Sequence, residues 1–97
     1  MKKERKYNIT SKQLKKLGFK KVKVTPEEAG DVKGFYYYTY DFIDNLVNSL
    51  GLITNSNDDR YKGKYWTVVI FNYDDIEFTS VNDLREFIKI VNKNLKK

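Results

Sequence analysis

The sequence predicts an α+β domain: a four- or five-stranded, mostly antiparallel sheet with an N-terminal and a C-terminal helix packed on one face. Three observations carry this. Two runs, Phe35–Phe42 and Tyr65–Asn72, are dense in aromatic and β-branched side chains and read as strands. Near the C-terminus, Leu84, Phe87, Ile88, Val91 and Leu95 fall on one helical stripe with Ile90 at its margin, an apolar face that must pack on the sheet. The connections between strand-like runs are short and polar, which favours sequential antiparallel pairing. A chain of 97 residues with 40% apolar content supports one small core, so residues 1–97 are expected to form a single domain.

Met1–Asn8 is charged and without periodicity, and is expected to be a basic, flexible arm. Thr10-Ser11-Lys12-Gln13 has the form of a capping box, with Ile9 and Leu14 as its hydrophobic staple. Gly18 supplies a left-handed stop, after which Phe19 folds back on Leu14, so a helix over Ser11–Leu17 follows. Lys20-Lys21-Val22-Lys23-Val24-Thr25 alternates charge and valine, predicting an edge strand with valines toward the core and lysines toward solvent. Pro26–Gly34 reads as a polar connection.

Phe35–Phe42 is the second strong strand, with Phe35, Tyr37 and Thr39 on one face and Tyr36, Tyr38, Tyr40 and Phe42 on the other. In Asp41–Gly51, Phe42, Leu46 and Leu50 recur at helical spacing between a capping Asp41 and a terminating Gly51, which predicts a short helix; a strand extension and loop is the alternative. Leu52-Ile53-Thr54 reads as a short strand. Asn55-Ser56-Asn57-Asp58-Asp59 superficially has the make-up of a calcium loop but lacks its central glycine and distal glutamate, so an Asx-type turn is expected. Arg60–Lys64 forms a positive hairpin around Gly63. Tyr65–Asn72 is expected to be the central strand, with Trp66, Val68 and Ile70 on one face. Asn72–Asp75 turns the chain, and Ile76–Thr79 makes one more strand with Ile76 and Phe78 inward. Ser80 is placed to cap the last helix and Asp83 to complete its box.

Composition removes much catalytic chemistry. The chain contains no cysteine and no histidine, so disulfides, thiolate or imidazole metal sites, and Cys or His nucleophiles and bases are absent. Asp74, Asp75 and Glu77 are the remaining acidic group for a carboxylate–metal hydrolase, but they lack a strand-borne lysine companion and a second acidic strand. A non-enzyme without metal or cofactor is expected. No apolar run reaches membrane-spanning length and no signal segment is evident, so a cytoplasmic protein without membrane association is expected.

The net charge of +6 is unevenly distributed: Met1–Lys23 holds ten Lys/Arg against Glu4, and Val24–Lys97 holds nine basic and twelve acidic residues. Such a basic segment suits phosphate, with Lys20, Lys21 and Lys23 as candidate ligands, although lysines also protect sheet edges. A tyrosine platform on an exposed sheet face provides interface anchors. Tyr36, Tyr38 and Tyr40 with Arg60 and Lys62 are therefore the candidate partner-binding residues. The leading reading is a non-catalytic module that binds a protein. The second is nucleic-acid binding, by the basic arm and base stacking on the tyrosines. The third is a nucleotide held by Tyr and Lys side chains with Asn55, Asn57 or Arg60. No Walker or dinucleotide glycine pattern supports that third reading.

Phe35-Tyr36-Tyr37-Tyr38-Thr39-Tyr40-Asp41-Phe42, Leu52–Asp59 and Phe78–Ile88 resemble segments of small uncharacterised α+β proteins encoded by bacterial genomes and their phages. The resemblance spans most of the chain and implies a context, a compact accessory protein of a mobile element, but carries no activity onto particular residues.

Overall fold

The computed structural model describes residues 5–30, 33–44 and 49–96. Its sheet has five strands, β1 (Lys20–Val24), β2 (Phe35–Asp44), β3 (Ser49–Thr54), β4 (Val68–Ile70) and β5 (Tyr73–Phe78), in the order β1-β2-β3-β4-β5. Each pairs antiparallel with the next. Three helices accompany them: α1 (Ser11–Leu17), α2 (Pro26–Ala29) and α3 (Val81–Asn94). The α+β class is the one the sequence predicts. Leu14 of α1 and Val81, Leu84 and Ile88 of α3 share one core with Tyr38, Leu52, Trp66 and Val68, so both longer helices cover the same face of the sheet.

Local chemistry sets the bounds of α1 as expected. The Thr10 hydroxyl accepts from the Gln13 N–H while the Gln13 carboxamide accepts from the Thr10 N–H, and Gly18 turns the chain at φ +103°. Phe19 then donates its N–H to the Leu14 carbonyl and is itself buried. Helix α2 is an addition to the sequence reading. Its signal was present in Thr25-Pro26-Glu27-Glu28, a capping box with proline at the first helical position. The Thr25 backbone N–H and hydroxyl both donate to the Glu28 carboxylate and hold its pKa below the ordinary glutamate value.

Two expected elements are corrected. The helix over Asp41–Gly51 is absent from both described ends: Asp41–Asp44 continues β2, and Ser49–Gly51 begins β3, while residues 45–48 lie outside the described residues. Phe42 fits helical spacing, but it also continues the alternation of Tyr36, Tyr38 and Tyr40, and long-range pairing with β3 decides between them. Gly51 is not a helix stop. It lies opposite Asp41 beside a register shift, where an added Cβ would stand 2.8 Å from the Tyr40 carbonyl oxygen. Likewise, Tyr65–Asn72 is not the central strand. Only Val68–Ile70 pairs as β4, next to the β5 edge, and β3 takes the middle of the sheet. Trp66 instead gives its backbone N–H to Ile9 and its indole N–H to the Ser11 hydroxyl, tying the chain to the start of α1.

Residues 5–8, the described part of the expected arm, lie against the body of the domain. Arg5 reaches the Glu77 carboxylate at 2.8 Å and the Glu77 carbonyl at 2.7 Å, and Tyr7 stacks on Tyr61 with ring centroids 3.8 Å apart. Asn8 then corrects the expected cap of α3. Ser80 makes no side-chain cap bond, whereas Asn8 Oδ1 accepts from the Val81 N–H at 2.7 Å. An orphan donor of the helix start is thus satisfied from the far end of the chain. Asn8→Ala is expected to cost about 1 kcal/mol, a fall of about 4–8 °C in Tm for a domain of this size. Ser80→Ala should stay within about 0.5 kcal/mol of the parent. Calorimetry of the two variants side by side decides which residue is the cap.

Candidate functional site

Sheet register sorts the candidate residues onto two faces. Directly opposed residues of antiparallel strands point the same way, so Lys21 shares a face with Tyr38, and Lys23 with Tyr36. That is the face covered by α1 and α3, and Tyr38 is only 2% exposed within its core. Tyr36 and Tyr40 are half-buried against the same cluster, where Tyr40 Oη accepts from the Asn92 side chain at 2.9 Å. The sequence therefore named the wrong face of β2. Tyr36, Tyr38 and Tyr40 are packing residues under the helices, not an exposed platform.

The opposite face carries the other set. Val22 opposes Tyr37, Val24 opposes Phe35, Thr39 opposes Ile53, and Ile53 opposes Val69. Phe71 joins this face beside Gly51, to whose carbonyl it donates at 2.9 Å, and its side chain is 52% exposed. Phe35 and Tyr37 have ring centroids 6.3 Å apart. Val22 and Val24 thus point away from the helices, the reverse of the expectation for β1. Helix α2 buries none of its four residues and covers no core. At one end of this open face, Phe71 and Gly51 border a cavity of about 230 Å³ with Asp41 and Asp44 at its rim.

Polar candidates on the loops are occupied by structural bonds. Asn57 Oδ1 accepts from the Tyr36 N–H, and Asn55 bonds both the Thr67 N–H and the Asp59 carbonyl, so the segment is a short 3-10 turn over Asn57–Asp59 held by longer-range side-chain bonds and not the expected Asx-type turn. The Arg60 guanidinium lies 5.4 Å from the Trp66 ring and donates to the Asn57 carbonyl. Lys62 sits exposed in a turn at φ +54°, with its ammonium 5.5 Å from the Tyr61 ring. The structure does not bring Arg60 and Lys62 together with the three named tyrosines into one exposed patch. Of the acids, Glu77 is held by Arg5, and among the described residues no three Asp or Glu converge as metal ligands.

The β1 lysines divide. Lys20 opposes Thr39 on the open face, while Lys21 and Lys23 lie on the helix side, with Lys21 Nζ 4.2 Å over the Tyr36 ring. All three are exposed. Among the described residues, no helix is long and apolar enough to cross a membrane. No protein-family model, curated protein or solved structure matches the chain.

Proposed function

We propose that this chain is a non-catalytic binding module that engages a protein partner through the open face of its sheet. One observation carries the reading. Val22, Val24, Phe35, Tyr37, Ile53 and Val69, each half-buried, lie with Thr39 across four strands on the face opposite α1 and α3, and the exposed Phe71 extends them. A contiguous apolar surface of this kind is costly to leave in water and is a common mark of an interface. Aromatic side chains such as Phe35, Tyr37 and Phe71 are suited to anchor it. Asp41 and Asp44 beside Phe71 would pair with a basic side chain of the partner. The setting that fits the reading is an accessory protein of a phage or other mobile element acting in the cytoplasm.

The test uses Tyr37→Ala and Ile53→Glu. Both side chains stand away from the helix-covered core, so each variant is expected to keep its fold. A protein co-purifying with the parent should bind Tyr37→Ala about 5- to 30-fold more weakly, the equivalent of 1–2 kcal/mol, and should be lost with Ile53→Glu. Equal recovery of that protein by parent and both variants would reject the open face as the interface.

A further inference from the structure

A second surface lies on the other side of the sheet. Ser11–Val24 contains six lysines and no acidic residue. Lys12, Lys15 and Lys16 follow at i, i+3 and i+4 and form one exposed stripe of α1. Lys21 and Lys23 stand two residues apart on β1, on the same side of the sheet as α1. The Gly18–Phe19 turn joins the two stripes. None of these five lysines makes an ion pair among the described residues, where Arg5–Glu77 and Lys33–Asp58 are the two such pairs. We propose that the lysine surface formed by Lys12, Lys15 and Lys16 of α1 with Lys21 and Lys23 of β1 binds the phosphate backbone of a nucleic acid.

Three features select this occupant. Five ammonium groups on α1 and the adjoining β1, none of them in an ion pair among the described residues, attract a polyanion at long range, and the repeating charge of its backbone strengthens the attraction. An anionic membrane is the other large polyanion, but a surface-bound helix needs an exposed apolar face beside its lysines. Helix α1 has committed that face, with Leu14 fully buried and Leu17 half-buried against the core. Base stacking has no platform here. Trp66 is inaccessible and Tyr36 is half-buried with Lys21 over its ring. Recognition therefore rests on phosphates and is independent of sequence. Because the surface lies across the sheet from the open apolar face, it operates independently of the protein-binding reading.

The experiment is a fluorescence-anisotropy titration of a short mixed-sequence DNA duplex and the corresponding single strand, repeated over a salt series. Each phosphate contact contributes about −0.9 to the slope of log K against log salt on a duplex, so engagement of all five lysines gives a slope of about −4 to −5. Replacing Lys12, Lys15, Lys16, Lys21 and Lys23 by Gln should lower affinity roughly 100-fold or more at low salt and flatten the slope. Replacing Lys2, Lys3 and Lys6 by Gln instead should leave most of it. Circular dichroism and thermal unfolding confirm that the five-fold variant is folded. Ile53→Glu should bind the duplex like the parent, which separates failure here from failure of the open face. The proposal is overturned if no binding is measurable at low salt, or if the five-lysine variant binds as the parent does. It is equally overturned if the Lys2, Lys3 and Lys6 variant alone loses binding, or if phosphatidylserine vesicles bind and both nucleic acids do not.

Discussion

Truncation after Ser80 is expected to abolish cooperative unfolding. The deleted segment contains α3, which contributes Val81, Leu84 and Ile88 to the core and packs Phe87 against Phe42 and Phe78 at centroid distances of 6.0 and 5.0 Å. Burying a large apolar side chain is worth about 1.5–3 kcal/mol, so four such residues account for roughly 6–12 kcal/mol. That is comparable with the whole stability of a small domain, about 5–15 kcal/mol. The loss also uncovers the β2–β4 side chains beneath the helix, and the seven-residue α1 is too short to cover them. Calorimetry should show a sharp transition for the full chain and none for the truncated one. A truncated protein that still melts cooperatively near the parent Tm would mean that α1 and the sheet suffice.

How far the sequence disclosed this structure depends on the range of the deciding interaction. The ends of α1 were legible because every group that fixes them lies within a few residues, from Thr10 and Gln13 to Gly18 and Phe19. The apolar stripe of α3 was legible for the same reason, since its period is local, although Ile90 at its margin proves exposed. The cap of α3 was not, because Asn8 supplies it across seventy-three positions while Ser80 has the right chemistry and makes no cap bond. Asp41–Asp44 shows the same conflict, where pairing with β3 overrides a helical spacing that Phe42 satisfies equally well.

The exposed face of β2 was misread by one position of the strand alternation. Strand β2 presents aromatics on both faces, so alternation alone identifies two sets and not which is buried. The choice falls to Trp66, which packs edge-on against Tyr38 at 5.2 Å and draws the even-numbered tyrosines under the helices. The same pairing turns Val22 and Val24 outward with Tyr37 and Phe35. The charge asymmetry was visible in composition, and Lys20, Lys21 and Lys23 were legible as candidate phosphate ligands, but the lysines of α1 were not joined to them. The fold places six of the ten N-terminal basic residues on α1 and β1. The result is a sheet with an apolar face on one side and a lysine surface on the other.

Trp66→Ala is expected to be the most damaging single substitution in the chain. Trp66 is the largest fully buried side chain. It contacts Tyr38 and Tyr36 at centroid distances of 5.2 and 5.8 Å, carries Arg60 near its ring, and donates its indole N–H to the Ser11 hydroxyl at 2.9 Å. Removing it leaves a cavity where α1, β2 and the chain before β4 meet, at a cost of about 3–5 kcal/mol. With about 4–8 °C per kcal/mol, Tm should fall by at least roughly 12 °C, and a marginal domain would be unfolded at 37 °C. Trp66→Phe keeps much of the ring but forfeits the bond to Ser11, so its loss should be about 1–2 kcal/mol beyond any packing defect. As the chain's one tryptophan, Trp66 also reports on itself. Its emission in the folded parent should be blue-shifted and resistant to acrylamide, moving to the red in step with the loss of helical circular dichroism. If Trp66→Ala melts within about 4 °C of the parent, a shift worth no more than about 1 kcal/mol, the junction of α1 with the sheet does not depend on this side chain.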